Sequence, residues 1–502
     1  MREMIRRVFT LFLIMLFTVA AVFFLPAIVK ADVSPAKGRH SMPATGNVKA
    51  LAIRVGFKDY PLYTEEEDEE GNTVLKASEF CLTKDQITDR FSGTDPESAS
   101  QYPYESLSAY YERSSYGKLN ITLGDIVDFT SENTRDYYEE KEFGEKEIEL
   151  MREILDGIKD EVDLSEYDSN NDGVADAVYI FYSEKPGPPT CKTFSPHCKS
   201  CADYNISLNG MKLTHFVMLG TDEKSTLMHE TGHLLGLPDY YSRVIGEALF
   251  GTSDMMYDNS GDHCGFSKWI LGWLTDENVI YLDKNDAGST ISLTPVDSLK
   301  CQGKKLAVLS NPKAEGPYNK YLLVEYVSAE NDMADLIGGT FPEGFRIFKV
   351  DAEMSGGYFL KNNDHYETSL LQVLNHDYSS VYDSIFREGM EVTPFTDPSS
   401  AQADGTYTGF FLIDFNTGKN NSFKLDYKEK PPETTTSEEK ETEKTVPEEK
   451  KGSESKGKRI RSADTGEEKS FYGYLIIIPI VLLYNLVLIY RKKVNTDGSG
   501  RR

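Results

Sequence analysis

Two histidines four residues apart, with an acidic residue between them, form the most chemically specific pattern in the chain. They are His229 and His233 in the segment HETGH, and Glu230 directly follows the first. On a helix both imidazoles project from one face, so they can bind one Zn²⁺ while Glu230 faces a metal-held water. Zinc brings the pKa of such a water near neutrality, and a carboxylate can take its proton and pass it to a leaving amine. The pattern therefore predicts a zinc hydrolase with Glu230 as its catalytic base.

The residues after His233 predict how a third ligand reaches the same metal. Gly236 can adopt a positive φ that turns the chain after a helix, and Pro238 does not continue a helix comfortably. Such a break lets Asp239 fold back toward the two imidazoles, so Asp239 is the predicted third zinc ligand. The alternative is that Asp239 serves only as a turn carboxylate and that a later Glu or His completes the site.

These motifs resemble those of known secreted peptidases. The segment HETGHLLGLPD resembles the elongated zinc motif of metzincins with Asp in place of the third His, and LGLPD is similar to the immune inhibitor A family of bacterial metallopeptidases. Similar segments lie at residues 107–119, 253–256, 267–273 and 321–326, so the resemblance covers most of residues 48–428. It implies a zinc endopeptidase with protein or peptide substrates, a metzincin-like fold and bound calcium.

The same resemblance implies a methionine turn beneath the metal. Met256 matches the family's position, whereas the general metzincin order favours Met255, with Tyr257 as an oxyanion partner. A methionine there packs as an apolar floor and is not a ligand. Ser253 departs from the family, which usually has Trp at that position, so both methionines remain candidates.

A second metal pattern, rich in oxygen side chains, lies in residues 168–176. Counted from residue 168, these side chains occupy positions 1, 3, 5 and 9, and a glycine occupies position 6. The four residues are Asp168, Asn170, Asp172 and Asp176. Ca²⁺ prefers six to eight oxygen ligands. Position 12 is Tyr179 instead of the Glu of an EF-hand. The sequence therefore predicts a structural calcium loop that leads into a strand, with a metal-free Asp/Asn turn as the alternative.

Hydrophobic patterning predicts the elements that position these sites. β-branched residues predict a first strand at residues 48–55, and apolar spacing predicts helices at 104–116 and 146–159. From about Ile291 the chain changes to short β-rich runs, at residues 305–309, 321–327, 345–350, 407–415 and 422–427. The predicted fold class is α+β. A zincin/metzincin-like catalytic domain over residues 48–285 precedes an antiparallel β-rich domain over residues 286–428.

The start of the chain predicts export. Three arginines precede an apolar run at residues 8–29, the layout of a secretory signal peptide over residues 1–31. An uncleaved membrane anchor is the alternative. Residues 32–47 are then a short pro or linker segment, too short for a folded inhibitory prodomain.

The other end predicts attachment to a surface. Residues 429–470 are a Lys/Glu/Thr-rich stalk that cannot bury enough apolar surface to fold. Residues 471–490 are a transmembrane or sorting-signal helix, and residues 491–502 are a basic cytoplasmic tail. Because residues 462–467, SADTGE, resemble the signals that sortases cut, membrane and cell-wall anchoring both stay open.

The number of cysteines and the net charge indicate the compartment of the protein and limit the kinds of partner that it can have. An even number of cysteines in an exported chain favours disulfides, and the six are Cys81, Cys191, Cys198, Cys201, Cys264 and Cys301. A zinc knuckle is the alternative for Cys191, Cys198, Cys201 and His197. The formal net charge of −27 argues against nucleic acid as a partner.

The predicted function is therefore an extracellular, surface-anchored zinc metalloendopeptidase that uses one catalytic Zn²⁺ and structural Ca²⁺. Two alternatives remain. One is a surface adhesin or binding protein with an inactive peptidase domain, and the other is a zinc hydrolase of cell-wall peptides. The sequence does not indicate the oligomeric state.

Overall fold

A computed structural model describes residues 40–142, 144–185, 194–242, 251–334, 342–355, 358–364, 369–376, 380–418 and 420–430. These residues form a mixed α+β structure, as predicted, with seven α-helices and several sheets. The helices are α1 Lys84–Ser92, α2 Leu107–Ser114, α3 Arg135–Glu139, α4 Glu145–Ile158, α5 Lys224–Leu234, α6 Met255–Asp258 and α7 Gly265–Ile270.

Nineteen strands lie in the same described part of the chain. They are β1 Gly46–Gly56, β2 Tyr63–Glu67, β3 Thr73–Ala77, β4 Leu119–Thr130, β5 Ala177–Tyr182, β6 His197–Ser200, β7 Ile206–Leu208, β8 Met211–Leu213, β9 His215–Leu219, β10 Val279–Leu282, β11 Thr290–Ser292, β12 Leu306–Leu309, β13 Lys320–Val327, β14 Gly344–Asp351, β15 Met354–Ser355, β16 Tyr358–Phe359, β17 Leu371–Val373, β18 Phe410–Asn416 and β19 Ser422–Tyr427.

The first sheet has the strand order β4-β1-β5-β9-β6. Its first four strands are parallel, and β6 pairs antiparallel with β9 at the edge. The central strands β1 and β5 are nearly continuous apolar runs, because both faces of the sheet are covered. Helices α1, α2 and α5 bury one face, and α4 buries the other.

Two further sheets follow in the second half of the chain. One has the order β10-β12-β13-β14-β17, with antiparallel pairing except between β10 and β12, and the other has the order β11-β19-β18. Alternate residues of β12 point in opposite directions. Leu306 and Val308 join the hydrophobic cluster that contains α5, whereas Ala307 and Leu309 join the cluster shared with β18 and β19. The five-stranded sheet of the second half therefore packs directly against the helices of the first half.

The predicted elements agree with the structure at their centres. The strand predicted at residues 48–55 is β1, the helix at 146–159 is α4, and the helix at 104–116 is the shorter α2. The β-rich runs correspond to β12, β13, β14, β18 and β19. No helix in the described ranges has the length and apolar character needed to cross a bilayer. The predicted signal peptide, terminal helix, basic tail and nearly all of the stalk lie outside those ranges.

The prediction of disulfides is not borne out for the described cysteines. Five of them are free thiols, namely Cys81, Cys198, Cys201, Cys264 and Cys301, and Cys191 lies outside the described residues. The buried cysteines instead pack as small apolar side chains in separate places. Cys264 belongs to the cluster around α5, and Cys201 belongs to the cluster around α4. An even cysteine count indicates pairing only when the fold brings the thiols together, and it does not do so for the five described ones.

Candidate metal centre

Helix α5 carries the HETGH segment and is buried on almost every side. Seven of its eleven residues are buried, among them His229 and Glu230, which are completely inaccessible. Tyr111 of α2 donates a hydrogen bond to the Met228 carbonyl (2.7 Å), and the hydroxyls of Tyr179 and Thr231 lie 3.0 Å apart. These contacts fix the helix against α2 and β5. Burying imidazole and carboxylate side chains is unfavourable unless they are partnered, so these residues require a chemical explanation.

A glycine turn ends α5 as the sequence predicted. Gly236 has φ 91°, a left-handed conformation that glycine adopts without strain. The backbone N–H of Leu237 donates to the Gly232 carbonyl (3.0 Å), and that of Gly236 donates to the His233 carbonyl (2.9 Å). These bonds satisfy carbonyls at the end of the helix and reverse the chain. Asp239 is thereby carried back to the face that holds the histidines.

The two histidines and Asp239 converge on one point. The Oδ1 atom of Asp239 lies 3.1 Å from Nε2 of His229 and 3.1 Å from Nε2 of His233. Two ligand atoms at tetrahedral positions around Zn²⁺ are about 3.4 Å apart, given metal–ligand distances near 2.1 Å. Among the described residues, these three side chains form the group of potential metal ligands whose ligand atoms all lie within 4.8 Å of one another. The spacing therefore fits a zinc ion.

The outer nitrogens of both imidazoles are already engaged. Nδ1 of His229 donates to the Met255 carbonyl (2.7 Å), and Nδ1 of His233 donates to the Leu237 carbonyl (2.8 Å). Since a carbonyl only accepts, Nδ1 of each ring is the donor in these bonds, and Nε2 of each ring is directed at the centre. This second layer of bonds is typical of metal-binding histidines.

Glu230 lies beside this centre with its carboxylate buried. Both of its carboxylate oxygens are buried and accept no hydrogen bond from the described residues, and Oε2 lies 4.0 Å from Nε2 of His233. Burial raises the pKa of Glu230 to about 8; the Asp239 carboxylate acts in the same direction, whereas His229 and the Cys198 N–H oppose it. In Asp239, burial raises the pKa, but the two imidazoles outweigh it and hold that pKa well below its usual value. The two carboxyls therefore differ: Asp239 suits a ligand and Glu230 suits a proton carrier.

The two methionines have different positions beneath the centre. Both are completely buried. Met255 contributes its carbonyl to His229, whereas the sulfur of Met256 packs against Gly232 in the middle of α5. Asp254 caps the short helix α6 that carries them by accepting from the Met256 N–H (2.7 Å). Met256 thus packs as an apolar residue on α5, and its part as a floor of the metal site stays a prediction.

Gly232 is the residue that lets α5 approach this floor. A Cβ built there would overlap the sulfur of Met256. We expect Gly232→Ala to lower the free energy of unfolding by about 1–3 kcal/mol through overpacking, although alanine is the better helix former. Urea titration measures the change. In a Met256→Ala background the same substitution is expected to cost much less, and equal costs in both backgrounds would contradict the steric explanation.

A buried ion pair that the sequence analysis missed supports the loop before α6. Arg346 of β14 donates through Nε to Glu325 of β13 (2.6 Å) and through Nη1 to the Ser253 carbonyl (2.7 Å). The other oxygen of Glu325 accepts from the Gly265 N–H (2.6 Å). Both side chains are completely buried. The available signal was a charged residue, Glu325 or Arg346, in the middle of apolar neighbours on each of two strands.

Two tyrosines stand near the methionine turn and the histidines. Tyr257 is partly buried in α6, and its part in stabilising an oxyanion stays a prediction. Tyr241, which the sequence analysis missed, stacks on the His229 ring with the centroids 6.4 Å apart and the planes 22° apart. Tyr241 follows Asp239 by two residues, so the same turn that delivers the third ligand also delivers this ring.

The predicted calcium loop forms a compact turn before β5. The carboxylate of Asp168 accepts from the Asp172 and Gly173 N–H groups (3.0 and 2.9 Å), and Asp176 accepts from the Ser169 N–H (2.7 Å). One oxygen of Asp176 is buried without a hydrogen bond from the described residues. The oxygen atoms of these three carboxylates do not lie as close to one another as the ligand atoms of His229, His233 and Asp239 do. The side chain of Asn170 forms hydrogen bonds within the loop. The calcium site stays a prediction.

The zinc-knuckle alternative finds no support in the described residues. His197, Cys198 and Cys201 do not bring their ligand atoms together there.

No protein-family model matches the chain, and a comparison with curated proteins found no match. The resemblance to the immune inhibitor A family therefore depends on the motifs alone.

Proposed function

We propose that the protein is a zinc-dependent endopeptidase with a zincin-like catalytic fold. The observation that carries this proposal is the convergence of His229, His233 and Asp239, with both Nδ1 atoms engaged, beside the buried carboxyl of Glu230. His229, His233 and Asp239 would hold the ion. When bound, zinc supplies an acidified water and a Lewis acid for a carbonyl oxygen.

The chain's own residues supply the proton transfers. Glu230 accepts a proton on one carboxylate oxygen and later donates it to the nitrogen of the leaving amine. Its burial favours this exchange, because a carboxylate with a raised pKa is a stronger base than an exposed one. Asp239 stays ionised beside the imidazoles and does not compete for that proton.

The edge strand β6 supports a peptide as the substrate. It is the last strand of the first sheet among the described residues, and α5 packs against it. An exposed strand edge can bind an extended peptide through main-chain hydrogen bonds. A polypeptide lying along β6 would therefore pass over the helix that carries Glu230. We propose protein substrates on this basis.

Export and anchoring belong to the same proposal. The apolar runs near both ends of the chain support an extracellular catalytic body attached through residues 471–490, either to the membrane or to the cell wall. The loop at residues 168–176 supports structural calcium in addition to the catalytic zinc.

Metal content and protein digestion together test the proposal. The full chain is expected to contain one zinc ion and to digest casein, to lose the digestion with 1,10-phenanthroline and to regain it with added Zn²⁺. His229→Ala is expected to lose the zinc, whereas the matched His215→Ala, outside the centre, keeps it. Freshly purified protein without zinc would contradict the metal centre. Zinc-containing protein that cleaves cell-wall peptides but not casein would instead contradict the choice of substrate.

A further inference from the structure

The hairpin formed by β2 and β3 lies between β1 and α1 in the chain and has both of its faces in water. All the residues of its two strands are exposed, and Leu75 is 70% exposed. Among the described residues, each strand pairs only with the other. The outer edges of the hairpin therefore keep unpaired backbone groups. A free edge of this kind can bind an extended polypeptide through main-chain hydrogen bonds.

The hairpin carries a concentrated negative charge on a defined face. Consecutive acids, EEEDEE, form the end of β2 and the turn that follows it. The register of the two strands places Glu65 and Glu67 on the same face as Leu75. Lys76, the single cation of the hairpin, lies on the other face and pairs with Glu66 (3.1 Å). The carboxylates of Glu65 and Glu67 are thus left to attract a cation from outside.

Arg54 of β1 fixes the base of the hairpin and joins it to a neighbouring cavity. Its Nη1 donates to the Tyr63 hydroxyl (2.9 Å), which in turn donates to Asp128 (2.8 Å). Its Nε donates to the Leu82 carbonyl (2.7 Å), and Leu82 lines a cavity of about 690 Å³ beside α1. Because one guanidinium binds both segments, the hairpin and the cavity are neighbouring parts of one surface.

The cavity opens to solvent through a polar, acidic rim. Asp85, Asp95 and Gln101 line it and are exposed, whereas the buried Leu82 and the half-buried Tyr104 supply apolar surface. Its volume lies in the range of ordinary ligand pockets. A long basic side chain can pack its aliphatic stem against such apolar surface and keep its charge at the rim.

The cations that line the cavity are already engaged within the protein. Lys224 binds Asp89 (2.7 Å), and Arg90 donates to a backbone carbonyl (3.2 Å). Neither contact involves Asp85 or Asp95, so these two carboxylates stay available to a ligand. The oxygen atoms of the cavity do not converge as metal ligands do in the described residues. The arrangement therefore favours an elongated organic cation over a metal ion.

We propose that the hairpin and the cavity together bind an extended polypeptide that carries lysine or arginine at alternate positions. Side chains two residues apart in a strand lie on one face, so such cations match Glu65 and Glu67. A further basic side chain enters the cavity beside Asp85. The formal net charge of −27 attracts a basic partner from a distance. The site is separate from the metal centre and does not depend on its chemistry.

Calorimetric titration with an eight-residue peptide that alternates lysine and threonine tests this surface. The full chain is used with Glu230→Gln, so that the peptide is not cleaved. A Kd below about 100 μM is expected at low ionic strength, with weaker binding as salt is added. The double variant Glu65→Gln with Glu67→Gln is expected to weaken binding about 5-fold, and so is Asp85→Asn with Asp95→Asn. All four side chains are exposed, so these variants are expected to fold.

Asp160→Asn with Glu161→Gln is the matched control. These two acids are exposed and follow α4, which covers the opposite face of the first sheet from α1. Binding is expected to be unchanged. Absence of peptide binding would overturn the proposal, as would an equal loss in the control, since attraction would then depend on net charge alone.

Two further titrations distinguish the polypeptide from other occupants of the same surface. Spermidine is expected to bind more weakly than the peptide, because it lacks a main chain that can pair with the hairpin edge. Equal affinity for spermidine would overturn a polypeptide as the ligand. Replacing the cations of residues 456–461, KGKRIR, by glutamine is expected to leave peptide binding unchanged. Binding that appears only in that variant would instead assign the surface to the chain's own stalk and overturn an external partner.

Discussion

Glu230→Gln is expected to keep the zinc ion and to lower kcat/KM for casein by about 10²- to 10⁴-fold, the range for a lost general acid–base group. Glutamine has nearly the same size as glutamate, so the buried position stays filled. Its amide neither accepts the proton from water nor donates one to the leaving amine. Digestion rates and zinc content, measured on the same preparation, separate the loss of proton transfer from loss of the metal.

The structure explains why Glu230→Gln is expected to lower the catalytic rate without loss of zinc or of stability. Glu230 accepts no hydrogen bond from the described residues, and the ligand atoms of His229, His233 and Asp239 converge without it. Removing its negative charge therefore leaves the Nδ1 hydrogen bonds of both imidazoles in place. The melting temperature is expected to stay the same or to rise, because the carboxylate is unfavourably buried.

Glu223→Gln is the matched control for this substitution. Glu223 is exposed, directly precedes α5 and makes no capping hydrogen bond with its side chain. It undergoes the same chemical change at the other end of the same helix, and casein digestion is expected to be unchanged. If Glu230→Gln digests casein at the wild-type rate, then Glu230 is not the base and the proposed mechanism is wrong.

Local patterns explain why part of this molecule could be predicted from the sequence. Helix α4 was identifiable because its apolar residues recur at helical spacing, and β1 because it contains several β-branched residues. The turn at Gly236 was identifiable because few other residues adopt its backbone conformation. In each case the determining interactions lie within a few residues along the chain.

Contacts between distant segments explain what the sequence analysis missed. The pairing of Glu325 with Arg346, and of Arg346 with the Ser253 carbonyl, depends on the register of β13 against β14 and on the packing of that sheet against α6. No short motif encodes such a register. The five described cysteines stay unpaired for a related reason, since a count of thiols contains no information about the distances between them.

Removing one partner of the Glu325–Arg346 pair is expected to be the most destabilising single change in this region. Glu325→Ala leaves the Arg346 guanidinium buried and without its carboxylate, and such a break costs about 3–5 kcal/mol. It also removes the acceptor for the Gly265 N–H. Urea titration followed by circular dichroism measures the change. Zinc content is expected to fall as well, because the carbonyl of Met255, two residues after Ser253, orients His229.

Two further variants distinguish a broken charge pair from a simple loss of packing. Replacing both partners, as in Glu325→Leu with Arg346→Met, is expected to recover most of the lost stability, because no buried charge remains unpaired. Asp156→Ala removes one partner of the exposed Asp156–Lys159 pair and is expected to change the free energy of unfolding by less than about 0.5 kcal/mol. A Glu325→Ala protein as stable as this control would show that the buried pair does not support the methionine turn.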